Sequence, residues 1–187
     1  MSHGTVRRTR RSAGFTLVEI LAVILIVSIL MAIGVPSYRS VTTSSRMSTE
    51  INATLVDLQY ARAQALKEGR SVTACISTDG ATCANSTNWE NGWIVFSDPD
   101  GDGVVDTGEN IWRVQGALSG GDTLRTGTTA KAITFNRAGF ALNLPSAGLK
   151  LTLHDVNSRA KFTKCLSVTT AGMLTTQTNL NSPSTCS

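Results

Sequence analysis

Hydrophobic positions along the chain fall into three regimes. Residues 15–35 read FTLVEILAVILIVSILMAIGV, an apolar run whose single ionisable side chain is Glu19. As a helix rising 1.5 Å per residue, this run is roughly 31 Å long, the thickness of a bilayer's hydrocarbon. Beyond it the period changes. Met47, Ile51, Leu55 and Leu58 recur at steps of three and four, and Ala65 returns to their face, while Arg46, Glu50, Asp57 and Arg62 fall on other positions. This is the pattern of an amphipathic helix with one face available for a core. Lys67 suits its end and Gly69 its cap. A largely continuous helix over residues 15–68 would be roughly 80 Å long, an anchor in its first half and a packed spine in its second. Gly34 and Pro36 interrupt the apolar run. Proline removes a backbone donor, so a helix kink or local melting is expected there.

From Ser71 onward the signals are of the strand type. Short apolar or alternating runs predict strands over 72–76, 92–97, 110–114, 132–135, 140–144, 149–154, 160–167 and 173–176, with Ala138-Gly139 and Ala171-Gly172 as tight turns. A helix first and strands afterwards predict an α+β fold, a long N-terminal helix packed against an antiparallel sheet. Three segments follow: a leader at 1–14, a membrane helix at 15–35, and at 36–187 the amphipathic half-helix with a β-rich head.

Charge sharpens the first segment. The 187 residues carry a net charge of +4, with 17 basic and 13 acidic side chains. Arg7, Arg8, Arg10 and Arg11 precede the apolar run, and the chain beyond residue 14 is neutral. The basicity therefore belongs to the leader, where it orients a membrane segment with the arginines cytoplasmic and the head on the other side. A cleaved secretory signal has a shorter apolar run and a small-residue cleavage site after it, so this helix is expected to be retained. Cys75, Cys83, Cys165 and Cys186 lie in the exported part. Four cysteines there suit two disulfides, with three connectivities open and the sequence-local pairs Cys75–Cys83 and Cys165–Cys186 favoured. Four reduced cysteines are the alternative.

The string Gly14-Phe15-Thr16-Leu17-Val18-Glu19, after a basic leader and before an apolar helix, resembles the processing signal of type IV pilins and type II secretion pseudopilins. The resemblance implies that a prepilin peptidase cuts between Gly14 and Phe15, that Phe15 is then N-methylated, and that Glu19 pairs with the Phe15 amine of a neighbouring subunit. An interfacial position near the cytoplasmic boundary is the simpler account of Glu19, since a carboxylate inside a bilayer costs about 3 kcal/mol. Further on, Trp89-x-x-Gly92-Trp93-Ile94-Val95-Phe96, an acidic turn and Glu109-Asn110-Ile111-Trp112-Arg113 are similar to the minor pilin and pseudopilin H group, the FimU/FimT-like proteins. The implied role is that of a minor pilin in fimbrial biogenesis, a structural subunit that assists assembly initiation or a tip-proximal complex. An H-like type II secretion pseudopilin is the alternative. The implied partners are other minor pilins, the major pilin, the inner-membrane assembly platform and the prepilin peptidase. The implied location is a single pass through the bacterial inner membrane with a periplasmic head, then the filament.

Two clusters leave questions of chemistry. Asp98, Asp100, Asp102, Asp106 and Glu109 occupy positions 1, 3, 5, 9 and 12 of a calcium loop, with Gly103 at position 6 and the Val104 carbonyl at position 7. Ca2+ would relieve their repulsion, whereas a solvated hairpin tip needs no metal. Some FimT-like relatives carry a basic C-terminal turn for DNA uptake. Here that turn is Ala171-Gly172-Met173-Leu174, and the nearby charges are Arg159, Lys161 and Lys164, with Arg159 and Lys161 of equal parity on an expected strand. Ordinary solvated charge is the alternative to a DNA patch. Of the two histidines, His3 lies in the leader and His154 reads as a surface or edge residue of a strand. No nucleophile elbow, metalloprotease helix or phosphate loop is present, so no enzyme is expected.

Overall fold

The computed structural model describes residues 14–127, 129–178 and 186. The leader arginines and His3 lie outside the described residues. The chain divides into two compact units, one up to Val41 and one from Thr42 onward. Helix α1 (Leu17–Glu68) contributes its first part to one and its second part to the other.

In the first unit the helix runs through Gly34 and Pro36 without a break in its assignment. Its apolar side chains are exposed throughout, and this is the one helix among the described residues long and apolar enough to cross a membrane.

In the second unit α1 buries Met47, Ile51, Leu58, Ala61 and Ala65 at helical spacing. They meet two antiparallel sheets. One has the order β3-β2-β1-β5-β6, built from β1 (Val72–Ile76), β2 (Trp93–Ser97), β3 (Ile111–Gln115), β5 (Ala132–Phe135) and β6 (Ala141–Leu142). The other has the order β4-β7-β8-β9, built from β4 (Thr123–Thr126), β7 (Leu149–His154), β8 (Lys164–Val168) and β9 (Leu174–Thr178). Strand β1 is buried on both faces, and its alternation separates two cores. Val72, Ala74 and Ile76 join Trp93, Val95 and the helix residues in the main core, whereas Cys75 joins Ile94 and Phe96 in a small outer core. The outer core is covered by Cys83, Val105, Ile111 and Ala132, so the loops after β1 and β2 act as its lid.

Two sequence expectations are corrected. Residues 123–126 form a strand that was expected to be loop, because Thr-Leu-Arg-Thr has only Leu124 as an apolar signal and its register opposite β7 comes from the sheet. Residues 160–167 are not one strand. Ala160–Phe162 form a 3-10 turn, and β8 begins only at Lys164.

The disulfides are Cys75–Cys83 and Cys165–Cys186. The first closes the excursion after β1 over the outer core, and the second ties residue 186 to β8. Their loops are short, with separations of 8 and 21 residues. Loop entropy then gives about 2–3 kcal/mol for each. Replacing Cys75 and Cys83 by serine should lower head stability by about that amount in denaturant melts, while the double change at Cys165 and Cys186 should release the C-terminal residues to proteolysis.

Candidate assembly site and the charged loops of the head

The helix start is built by Thr16 and Glu19. Thr16 precedes the first helical residue, and its Oγ1 accepts the Glu19 amide at 3.3 Å while its own amide faces Glu19 Oε2 at 3.5 Å. This is a reciprocal capping box, in which a threonine and a glutamate three residues on satisfy each other's backbone donors. The spacing Thr-x-x-Glu was legible in the sequence, but the reading of Glu19 as an intersubunit group passed over it. Glu19 is exposed and lies one turn from Phe15, so the carboxylate is available beyond its own helix. Gly14 and Phe15 are also exposed.

Within the head, charged residues of α1 that the pattern placed off the core face hold the sheets. Arg46 meets Asp122 with Nε–Oδ2 at 2.7 Å and a second hydrogen bond at 2.8 Å. Asp57 accepts from Trp93 Nε1 and from Arg113, each at 3.0 Å. Arg62 donates to the Gly139 carbonyl at 3.0 Å and to that of Ala171 at 3.4 Å, joining the turns after β5 and β8. Gly139 and Gly172 are needed at this junction: both have positive φ, and a Cβ on Gly172 would lie 2.0 Å from the Gly139 oxygen. Trp89 and Trp93 are buried 6.5 Å apart, and Trp112 packs against the same core.

The acidic loop splits into two parts. Asp98 is fully buried and its carboxylate organises the turn, accepting the amides of Gly101 at 2.8 Å and Gly103 at 3.1 Å together with the Thr73 hydroxyl. Thr73 in turn bonds Thr134 across β1 and β5. Burial pushes the Asp98 pKa above the ordinary carboxylate range, against the pull of these donors. Asp100 and Asp102 are exposed and come within 4.8 Å of Asp98, so three carboxylates converge. Asp106 and Glu109 do not join them: the Asp106 amide donates to Glu109 Oε2 at 2.9 Å and closes a turn of its own. Val104 is half exposed, and its amide donates to Asp102. Three carboxylates fit one side of a calcium ion, short of the six to eight oxygens it takes, and both Asp98 oxygens already accept hydrogen bonds. The Asp98 carboxylate thus holds together the turn that leads to Val105, which packs on the outer core.

The basic residues do not form one row. Arg159 pairs with the buried Asp155 at 2.8 Å and lies over the Phe162 ring, as does Lys161 from the 3-10 turn. Lys164, on β8, donates to Thr178. The shared strand face expected for Arg159 and Lys161 is therefore absent, because the backbone there turns instead of extending. His154 sits 3.1 Å from the Thr163 hydroxyl, and burial lowers its pKa.

A long helix laid on antiparallel sheet, with a capped and apolar N-terminal part, defines the pilin class of filament subunit. A family profile described as "Type II transport protein GspH" matches residues 50–172, and one for the prokaryotic N-terminal methylation motif matches residues 9–35. The chain belongs to the GspH family of minor pilins and pseudopilins, which are structural subunits without catalytic activity. None of the curated proteins matches the chain. Among solved structures, it is similar in fold to the type IV minor pilin FimU of Pseudomonas aeruginosa, with TM-score 0.57 and 19% identity over 80% of this chain and 99% of that one. A second crystal form of FimU gives 0.53 and 18% over 78% and 98%. The minor pseudopilin EpsH of the Vibrio cholerae type 2 secretion system gives 0.51 and 12% over 71% and 97%.

If the acidic loop is structural, Asp98→Ala should cost about 1–3 kcal/mol from three lost hydrogen bonds, whereas Asp100→Ala and Asp102→Ala should stay within about 0.5 kcal/mol. Thermal melts of the full chain with and without millimolar calcium check this. A calcium-dependent rise in melting temperature that both exposed-site variants abolish would assign the loop to metal instead.

Proposed function

We propose that the chain is a minor type IV pilin that helps initiate pilus assembly or takes a tip-proximal position. The observation that carries this reading is the junction Gly14-Phe15-Thr16-Leu17-Val18-Glu19 at the head of a membrane-length apolar helix, within the residues matched by the methylation motif. Cleavage between Gly14 and Phe15 removes the leader arginines and leaves a new amine on Phe15, which is then methylated. That amine is one residue from the Thr16 amide that Glu19 faces, and the exposure of the carboxylate beside it supports its use as a counter-ion for a positively charged chain end. In the filament Glu19 takes the Phe15 amine of the adjacent subunit. Gly34 and Pro36 supply a weak point in the helix, where the proline's missing donor leaves a carbonyl unbonded and lets the packed helix bend. The precursor crosses the inner membrane once with its head in the periplasm. Its partners are the prepilin peptidase, the assembly platform, the major pilin and other minor pilins.

The description of the matching family favours a second reading, a pseudopilin of type II secretion. Deleting the gene separates the two: loss of surface pili with secretion intact supports the pilus, and the reverse supports the secretion system.

For the junction itself, mass spectrometry of the mature protein should find an N-methylated phenylalanine at its start. Glu19→Ala should still insert in the membrane and be processed, yet drop out of sheared filaments by tenfold or more. An intact leader would overturn the processing step, and normal incorporation of Glu19→Ala would overturn the pairing.

A further inference from the structure

The loop over residues 116–122, joining β3 to β4, is held on α1 through carboxylates. Asp122 is buried and takes both Arg46 hydrogen bonds. Glu50, one helical turn beyond Arg46, is more than nine-tenths buried, and its Oε1 accepts the Ser119 amide at 3.2 Å and the Ser119 hydroxyl at 3.0 Å. Its other oxygen, Oε2, is buried and has no hydrogen-bond donor among the described residues. Ser119 joins Glu50 to a second buried carboxylate, Asp122, whose amide donates to the Ser119 carbonyl at 3.4 Å and whose side chain is an acceptor like that of Glu50. Two carboxylates in that position bond only when one carries a proton. Left ionised, Glu50 would hold a desolvated, unsatisfied oxygen against a second negative charge.

The surrounding charges do not remove the conflict. Arg46 is committed bidentately to Asp122, and on the neighbouring strand end Asp155 is committed to Arg159. Glu90, on the element beneath the loop, pairs with Arg125 and accepts the Leu124 amide. The loop backbone lies directly over the guanidinium, since a Cβ on Gly120 would come within 2.6 Å of Arg46. Leu118 is thereby seated against the main core, its amide bonded to the Glu90 carbonyl at 2.8 Å.

We propose that Glu50 is protonated in the folded head and donates from Oε2 to Asp122, so that one shared proton latches the 116–122 loop to the helix and the latch loosens as pH rises. Burial, followed by the charge of Asp122, raises the Glu50 pKa, and the Ser119 hydrogen bonds pull it back only in part. The folded chain therefore keeps a proton that the unfolded chain has lost. The stabilisation is complete at low pH and disappears as pH climbs through the folded value. Loosening would lift Leu118 from the core while both sheets stay paired. The inference is independent of which filament the chain enters.

The test uses the full chain in detergent micelles. Infrared difference spectra between wild type and Glu50→Gln should show a protonated carboxyl band at a pH just above the ordinary carboxylate range. The difference isolates Glu50 from the other glutamates. Hydrogen exchange of the Ser119–Asp122 amides, corrected for base catalysis, should accelerate with pH in wild type and lose that dependence in Glu50→Gln, whose amide keeps a donor towards Asp122. Asp122→Asn, which removes the facing charge and offers an amide donor in its place while Glu50 stays buried, should move the loss of the band to lower pH. Absence of the band in wild type, or an unchanged pH dependence of exchange in Glu50→Gln, overturns the proposal.

Discussion

The head depends on one seam, the stripe of α1 from Met47 to Ala65 that is buried against the inner faces of both sheets. Side chains three and four residues apart share a helix face, so a narrow apolar stripe leaves its flanks close to the sheet edges. Those flanks carry Arg46, Glu50, Asp57 and Arg62: the first two reach the loop before β4, Asp57 reaches strand β3, and Arg62 reaches the two turns that close β5–β6 and β8–β9. The hydrophobic contact sets where the helix lies. The flanking polar contacts set its rotation and register, because each meets specific complementary partners, and buried polar groups without such partners are costly.

This explains how much could be read from the sequence. The apolar run, the amphipathic stripe and most strands follow from local composition and spacing, which act over a few residues, whereas spacing only favoured the two local disulfide pairs among three connectivities. The partners of Arg46, Asp57 and Arg62 are 36 to 109 residues away, and no spacing rule links them. Strand β4 was invisible for the same reason: its strand character comes from pairing with β7, whose residues are far along the chain. The 3-10 turn at 160–162 was misread because alternation there looks like a strand until Asp155 caps the Arg159 amide at 2.7 Å and bends the chain. At the helix start, the methylation motif around Gly14 and Phe15 was legible, and so was the Thr16-x-x-Glu19 spacing of the capping box, which was overlooked.

The small outer core gives the acidic loop a reason to exist without invoking a ligand. Sheet β3-β2-β1-β5-β6 would otherwise expose Cys75, Ile94 and Phe96 to water. Two loops cover them, one stapled by a disulfide and one folded around the Asp98 carboxylate. Asp100, Asp102 and Asp106 are exposed to solvent, where like charges at close range cost little because water screens them. A buried organising carboxylate with an exposed acidic rim is thus the arrangement expected of a lid that must be both anchored and soluble.

The first part of α1 poses the opposite problem, since none of its apolar side chains is buried by the chain itself. A bilayer meets that need, and so do the helices of neighbouring subunits. Glu19 separates these environments energetically. Within hydrocarbon its lone carboxylate costs about 3 kcal/mol, and the hydrogen bonds of the capping box relieve this only in part. Beside a neighbour's amine the same group gains a counter-ion, so under the proposed pairing the residue that penalises the isolated helix rewards the assembled one. The apolar run alone would favour lipid and filament almost equally. Under the proposed pairing, one carboxylate near its start supplies a difference that favours the assembled helix.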